Sequence, residues 1–272
     1  MHIIGQRKPQ IKLLNALNQI LDGQTVNKKQ PNHNERTKHM NLKNESLGSL
    51  KENVAAELND RHTNARPVVA VALAVWLGLV FLLGIGGGFV GPAEAPPLPI
   101  FFGFALPLVV FFAAYFGWRA FREFVLGADL RLVAMIQAWR WAGFGFLALY
   151  AQGVVPGLFA FPAGLGDMAI GFSAPWIVLG LMRHPSFATS RRFVLWNIMG
   201  ILDLVVAVSL GALCSGFLHG LTGGVTTSSM AHLPLVLIPA YFVPCFMMLH
   251  FTALAQTRQL ARSGKFANTQ NI

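Results

Sequence analysis

Six polar side chains stand inside otherwise apolar stretches of this sequence and are the residues with chemistry to offer: Gln137, Arg140, Asp167, Asn197, Asp203 and His250. Two carboxylates and one guanidinium make an unequal set. A guanidinium placed between two carboxylates can meet both in a forked geometry, which lowers the cost of burying all three. One negative charge is then left over unless a proton, a cation or a second base neutralises it. Two readings follow from that surplus. In one, the set is a structural ion pair, or Arg140 snorkels to the inner face of the layer that buries it. In the other, it is a site that takes up and releases a proton.

The elements that must position these groups are helices. Asp203 shares a helical face with Gly200, Ala207 and Gly211, and Asp167 shares one with Ala160, Gly164 and Gly171. Stripes of small residues are where membrane helices approach closely. Counted from the short loop between the two helices at about 1.5 Å per residue, the carboxylates lie within about one turn of each other in depth. Arg140 enters its own helix by about 12 Å and reaches the level of Asp203. Both aspartates also sit in a G-x-x-D pattern followed six residues later by Ser: Gly164, Asp167, Ser173 and Gly200, Asp203, Ser209. A chance match and an internal repeat both account for that pattern.

Gln137, Asn197 and His250 lie one to two turns inside the same end of their helices. They could line an inner vestibule leading to Arg140, or simply hydrogen-bond helix to helix. Pro107, Pro175, Pro234, Pro239 and Pro244 interrupt apolar runs, and interior prolines free the carbonyl four residues earlier: here Gly103, Gly171, Leu235 and Ala240 for Pro107, Pro175, Pro239 and Pro244. Pro162, Gly164 and Gly166 stand just before Asp167, a local weakness of the kind found where transporter helices break around a site; a plain kink is the alternative. Gly84 and Gly88 form a G-x-x-x-G pair, which suits either a homo-oligomer contact through the first helix or close packing within the bundle.

Apolar residues make up 54% of the 272 and charged residues 12%, about half the charged share of an ordinary globular chain. The runs long enough to cross about 30 Å of hydrocarbon are Val68 to Val90, Leu98 to Trp118, Leu132 to Gln152, Leu158 to Met182, Phe193 to Ser215 and His232 to Ala255. The sequence therefore predicts an all-α, six-helix transmembrane bundle over residues 67–257. Ahead of it lies a largely disordered polar tail, 1–66, and behind it a short basic tail, 258–272.

Ten Lys and Arg follow residue 66, and nine of them fall in alternate gaps or after the last span. Arg119, Arg122 and Arg131 occupy one gap, Arg183, Arg191 and Arg192 another, and Arg258, Arg262 and Lys265 the end; the opposite gaps have none. Basic residues are retained on the cytoplasmic side. Both termini are then expected in the cytoplasm and the lipid bilayer as principal partner. The net charge of +10 has its source in the tail and these helix ends, and no aromatic-interleaved basic module points to nucleic acid.

The tail is rich in Asn, Lys and Gln and has little to bury. Within it, Ile11, Leu14, Leu17 and Leu21 recur at helical spacing, as do Leu50, Val54 and Leu58 behind a Ser49/Glu52 capping box. The first thirty residues hold no apolar run of signal-peptide length, and residues 1–39, ahead of Met40, could be an upstream extension. Cys214 and Cys245 fall at different depths, which argues against a disulfide. No Cys/His cluster suggests zinc. His250 is the lone deeply placed imidazole, with His232 at the opposite end of its span and His184 and His219 in loops, so paired haem ligation is not expected. No cofactor is expected at all.

The stretches WNIMGILDLVVAVSLG (Trp196 to Gly211), FPAGLGDM (Phe161 to Met168) and LPLVLIPAYFVPCFMMLH (Leu233 to His250) resemble segments of an uncharacterised family of small bacterial integral membrane proteins. The resemblance covers the third to sixth spans. It implies a bacterial cytoplasmic membrane and brings no catalytic or binding residue with it. Three function classes remain. Small-solute or proton-linked transport accounts for the charge surplus and the prolines. A structural or accessory membrane protein accounts for all but the surplus carboxylate. A membrane-embedded enzyme comes third, since no H-E-x-x-H, G-x-S-x-G or Asp-rich metal motif is present.

Overall fold

The computed structural model describes residues 45–46, 48–49, 67–92, 95–216 and 224–269. Among the described residues there is helix and turn but no strand. Six helices among the described residues are long and apolar enough to cross a membrane, the pattern of a membrane protein. They are α1 (Pro67–Ile85), α2 (Leu98–Gly117), a segmented third span (Leu130–Ala151), α6 (Gly157–Arg183), α7 (Arg191–Leu213) and a sixth (Ile238–Arg262). The third span consists of α4 (Leu130–Ile136), a 3-10 stretch (Gln137–Gly143) and α5 (Phe144–Ala151). The sixth begins with a π turn (Ile238–Phe242) and continues as α8 (Val243–Thr269). A short amphipathic helix, α3 (Arg119–Leu126), fills the gap after α2. The described residues from 67 onward belong to one compact unit. The expected helices around Leu14 and Val54 lie outside the described residues. Ser49 is itself helical and its hydroxyl donates to Ser46 O at 3.1 Å, while Glu52, the other half of the expected capping box, lies outside the described residues.

The first span stops five residues before the expected Val90. Its glycines build a Schellman stop: Gly88 N–H donates to Leu83 O at 2.8 Å and Gly87 N–H to Gly84 O at 3.3 Å. Gly87 stands at φ 69°, a left-handed conformation that a side chain disfavours. Gly84 instead packs inside the bundle, where a Cβ would come within 2.9 Å of Leu233 Cγ. The chain then turns back and buries Phe89 with Val80, Val236 and Ala240. Gly103 of α2 lets that helix approach the π turn, since a Cβ there would lie 3.1 Å from the Ala240 Cβ.

Each remaining span has a local stop or start. Asp129 caps α4, accepting from Arg131 N–H at 2.8 Å, and Ser190 caps α7, accepting from Phe193 N–H at 3.2 Å. The sixth span starts later than expected because His232 to Val236 form turns ahead of it. The carbonyl freed by Pro239 is met there, by Ile238 N–H on Leu235 O at 3.0 Å. Just before Pro244 the helix widens, with Val243 N–H donating to Ile238 O. At the other end, buried Gln256 donates to Val125 O and Ala128 O, each at 2.9 Å, and Thr257 donates to Ala188 O at 2.9 Å. These bonds clamp α8 to two of the arginine-bearing connections.

Of the two readings ahead of Asp167, a broken helix and a plain kink, the break is absent. α6 runs unbroken from Gly157 to Arg183 through both Pro162 and Pro175. Its glycines are contact points instead. A Cβ on Gly164 would lie 2.9 Å from Gly143 O, and one on Gly171 would overlap the Trp141 backbone nitrogen. The third span lies so close to α6 that only hydrogen fits.

Candidate functional site

The 3-10 stretch explains how one span aims three polar or contact residues the same way. With three residues per turn, positions i, i+3 and i+6 eclipse. Gln137, Arg140 and Gly143 have that spacing, and all three are buried. Gly143 must lack a side chain because a Cβ there would meet Gly164 O at 2.9 Å. With the backbones this close, Arg140 reaches past α6 to α7 and α8.

Arg140 sits at the centre, its side chain fully inaccessible. Nε donates to Asp167 Oδ1 at 2.7 Å, Nη2 donates to Asp203 Oδ2, and Nη1 donates to Gly200 O at 3.4 Å and to His250 Nε2 at 3.0 Å. It therefore does not snorkel. An arginine can only donate, so His250 Nε2 must accept, which places the imidazole proton on Nδ1. That proton goes to Asn197 Oδ1 at 2.9 Å, and Asn197 Nδ2 donates to Phe193 O at 2.9 Å. The imidazole is thus neutral in this arrangement. A second proton on Nε2 would point straight at the guanidinium.

The pocket around the ring is tight. A Cβ on Gly200 would overlap His250, and Trp196 lies edge-on to the imidazole at 5.4 Å. Trp196 Nε1 donates to Ser173 Oγ at 2.8 Å, which passes a bond to Ile170 O at 3.0 Å and ties α7 to α6. Ser209, the counterpart of Ser173 in the G-x-x-D pattern, bonds only Val205 O of its own helix, at 2.7 Å. The two halves of that pattern are therefore not used alike.

Five of the six candidate residues join one network: Arg140, Asp167, Asp203, His250 and Asn197. Gln137 stands one turn away, donating from Nε2 to Phe246 O at 3.1 Å, with Oε1 buried and unpartnered. Gln137, Asn197 and His250 border neither of the two cavities beside the centre, and all three are buried. Gly143 and Trp196, which no motif marks, and Gly166, where a Cβ would overlap the Asp203 carboxylate, also shape the centre. A small residue every third or fourth position was the one signal for the glycines of α6.

Two cavities converge on the centre. One, of about 140 Å³, opens among the loops at the Phe89, Ala95 and Thr227 end and runs down beside Leu204 to Asp167. The other, of about 830 Å³, is a groove between the third and sixth spans with Arg140 and Asp167 on its floor. Asp167 borders both. Its side chain is 16% exposed and that of Asp203 14%, against 0% for Arg140. Asp167 Oδ2 and Asp203 Oδ1 accept no hydrogen bond among the described residues. Asp167, not the guanidinium, is the charged group a molecule in either cavity can reach, and Asp203 borders neither cavity.

Among the described residues no three His, Cys, Asp or Glu side chains are placed to hold a metal ion. Cys214 and Cys245 are both free thiols. No curated protein and no solved structure matches the chain. A family model does match: it spans residues 97–258, well over half the chain, and takes in every polar residue of the centre. By that match the chain belongs to the family described as Domain of unknown function (DUF8737).

Proposed function

We propose that this is a multi-pass protein of a bacterial cytoplasmic membrane, with both termini in the cytoplasm, that moves a small solute in a proton-linked manner through the Arg140–Asp167–Asp203 centre. The arginine-bearing connections support that orientation. The observation that carries the reading is the position of Asp167. It belongs to a trio with one negative charge in excess, and it borders both an end-on cavity and a side groove. A group that can be reached from two directions and that needs a neutralising partner is suited to exchange one partner for another.

A second reading, a structural ion pair in an accessory membrane protein, draws on a different observation. The guanidinium already donates to four acceptors on three elements, as a purely architectural cation would. A thermal-shift titration in detergent, across pH and a panel of small solutes, separates the two. On the transport reading a solute stabilises the native chain in a pH-dependent way, and Asp167→Asn keeps its folded yield while losing that response. If Asp167→Asn and Asp203→Asn do nothing but lower folded yield, the centre is architectural.

A further inference from the structure

We propose that the groove between the third and sixth spans binds an apolar organic cation, whose positive charge is met by Asp167. The groove runs lengthwise, from Ile136 to Leu149 along one span and from Ile238 to Leu249 along the other. Its walls are aromatic, with Trp139, Tyr241, Phe242 and Phe246. Trp139 and Phe242 are 72% and 44% exposed, so the groove opens through the flank of the bundle and not at its ends. In a bilayer that flank faces acyl chains. A volume of about 830 Å³ lies in the range of small-molecule sites.

Charge decides which ligand fits. The groove floor shows Arg140 and Asp167, but the guanidinium is inaccessible and four of its five N–H groups are engaged, whereas Asp167 is partly exposed with Oδ2 unused. An anion would meet a surplus of negative charge at the floor and a guanidinium it cannot reach. A cation finds a carboxylate at the floor and ring faces on the walls, each of which attracts positive charge. The solute of the transport reading, on which this assignment rests, then belongs to a defined chemical class. One cation entering the groove replaces one proton on the carboxylate pair. The proton leaves by the end-on cavity, so the charge of the centre is conserved.

The probes are tetraphenylphosphonium and tetraphenylborate, ions of the same shape and opposite charge, titrated against the full chain in nanodiscs of zwitterionic lipid. Saturable tetraphenylphosphonium binding is expected, with release of a proton in weak buffer and no competition by tetraphenylborate. Asp167→Asn should weaken it by at least about tenfold. Trp139→Ala, at the exposed rim where folding is not at risk, should weaken it by about threefold to tenfold. Cys245→Trp, which fills the groove, should abolish it. Equal binding of the two ions overturns the assignment, as does tetraphenylphosphonium binding that ignores both Trp139→Ala and Cys245→Trp. If the Asp167-dependent response to pH and solute persists while tetraphenylphosphonium shows no saturable binding, the cation assignment falls and the transport centre stands. If both are missing, both fall.

Discussion

The third and fourth spans invert what their compositions suggest. The fourth carries two interior prolines and four interior glycines and stays one α-helix from Gly157 to Arg183. The third has no proline, yet changes to a 3-10 helix from Gln137 to Gly143. Propensity sets only a small local preference, of about 1 kcal/mol for a glycine. Packing decides the rest. Tightening the third span lines up Gln137, Arg140 and Gly143, which lets Gly143 meet Gly164 and lets Arg140 bond across to Asp203. The glycines of the fourth span are the other half of the same contact.

The sharpest way to break this comparison is to remove the cation that the tightened segment exists to place. Arg140→Met leaves two carboxylates buried without a partner, a loss of about 3–5 kcal/mol. Folded yield by fluorescence-detected size exclusion should collapse, and adding Asp167→Asn with Asp203→Asn should restore much of it. No recovery in the triple variant would mean that Arg140 acts through shape and not through charge.

A smaller effect separates contact from propensity. Gly143→Ala puts a Cβ 2.9 Å from Gly164 O, while Gly145→Ala, two residues on, has nothing within 4 Å. The first should cost about 1–3 kcal/mol and the second should be neutral or stabilise by up to about 1 kcal/mol, read as opposite shifts in melting temperature. Matching shifts would show that helix propensity, and not the contact with α6, controls the third span.

The smallest effect lies at the start of that span, outside the centre. The Arg131 guanidinium bonds Asp129 and holds its carboxyl below the usual carboxylate range. The folded value is depressed, so the stabilisation is present above about 3.8, the ordinary carboxylate value, and fades as pH falls through the lower folded one. Asp129→Ala should lose about 1 kcal/mol of cap at neutral pH and less in acid. An undiminished loss in acid would assign the effect to something other than the ionised cap.

Some of the site was legible before any coordinates. Arg140, Asp167 and Asp203 stand out because an ionisable group in an apolar run is costly enough to demand a partner, and their depths could be counted from the connecting loops. His250 and Asn197 were visible as polar residues but not as links in one chain. Their pairing depends on the rotation of α8 against α7, and one residue of slip turns a side chain by about 100°. Pro162 and Pro175 left a break and a plain kink both open, and the helix continues through them, whereas at Pro234 and Pro239 turns and a π turn precede α8. Gly84 to Gly88 read as a contact motif, and most of it is a helix stop.

What the residues determined unaided is the helical class, the count of membrane-length helices and the short roster of polar groups inside them. Those follow from running sums along the chain, because hydrophobic length is a local property. Tertiary structure alone decided that the third span tightens, that His250 is the neutral Nδ1-H tautomer, and that Asp167 is the group shared by two cavities. Each depends on atoms brought together from positions 21 to 110 residues apart, where the distance is set by how helices rotate and pack.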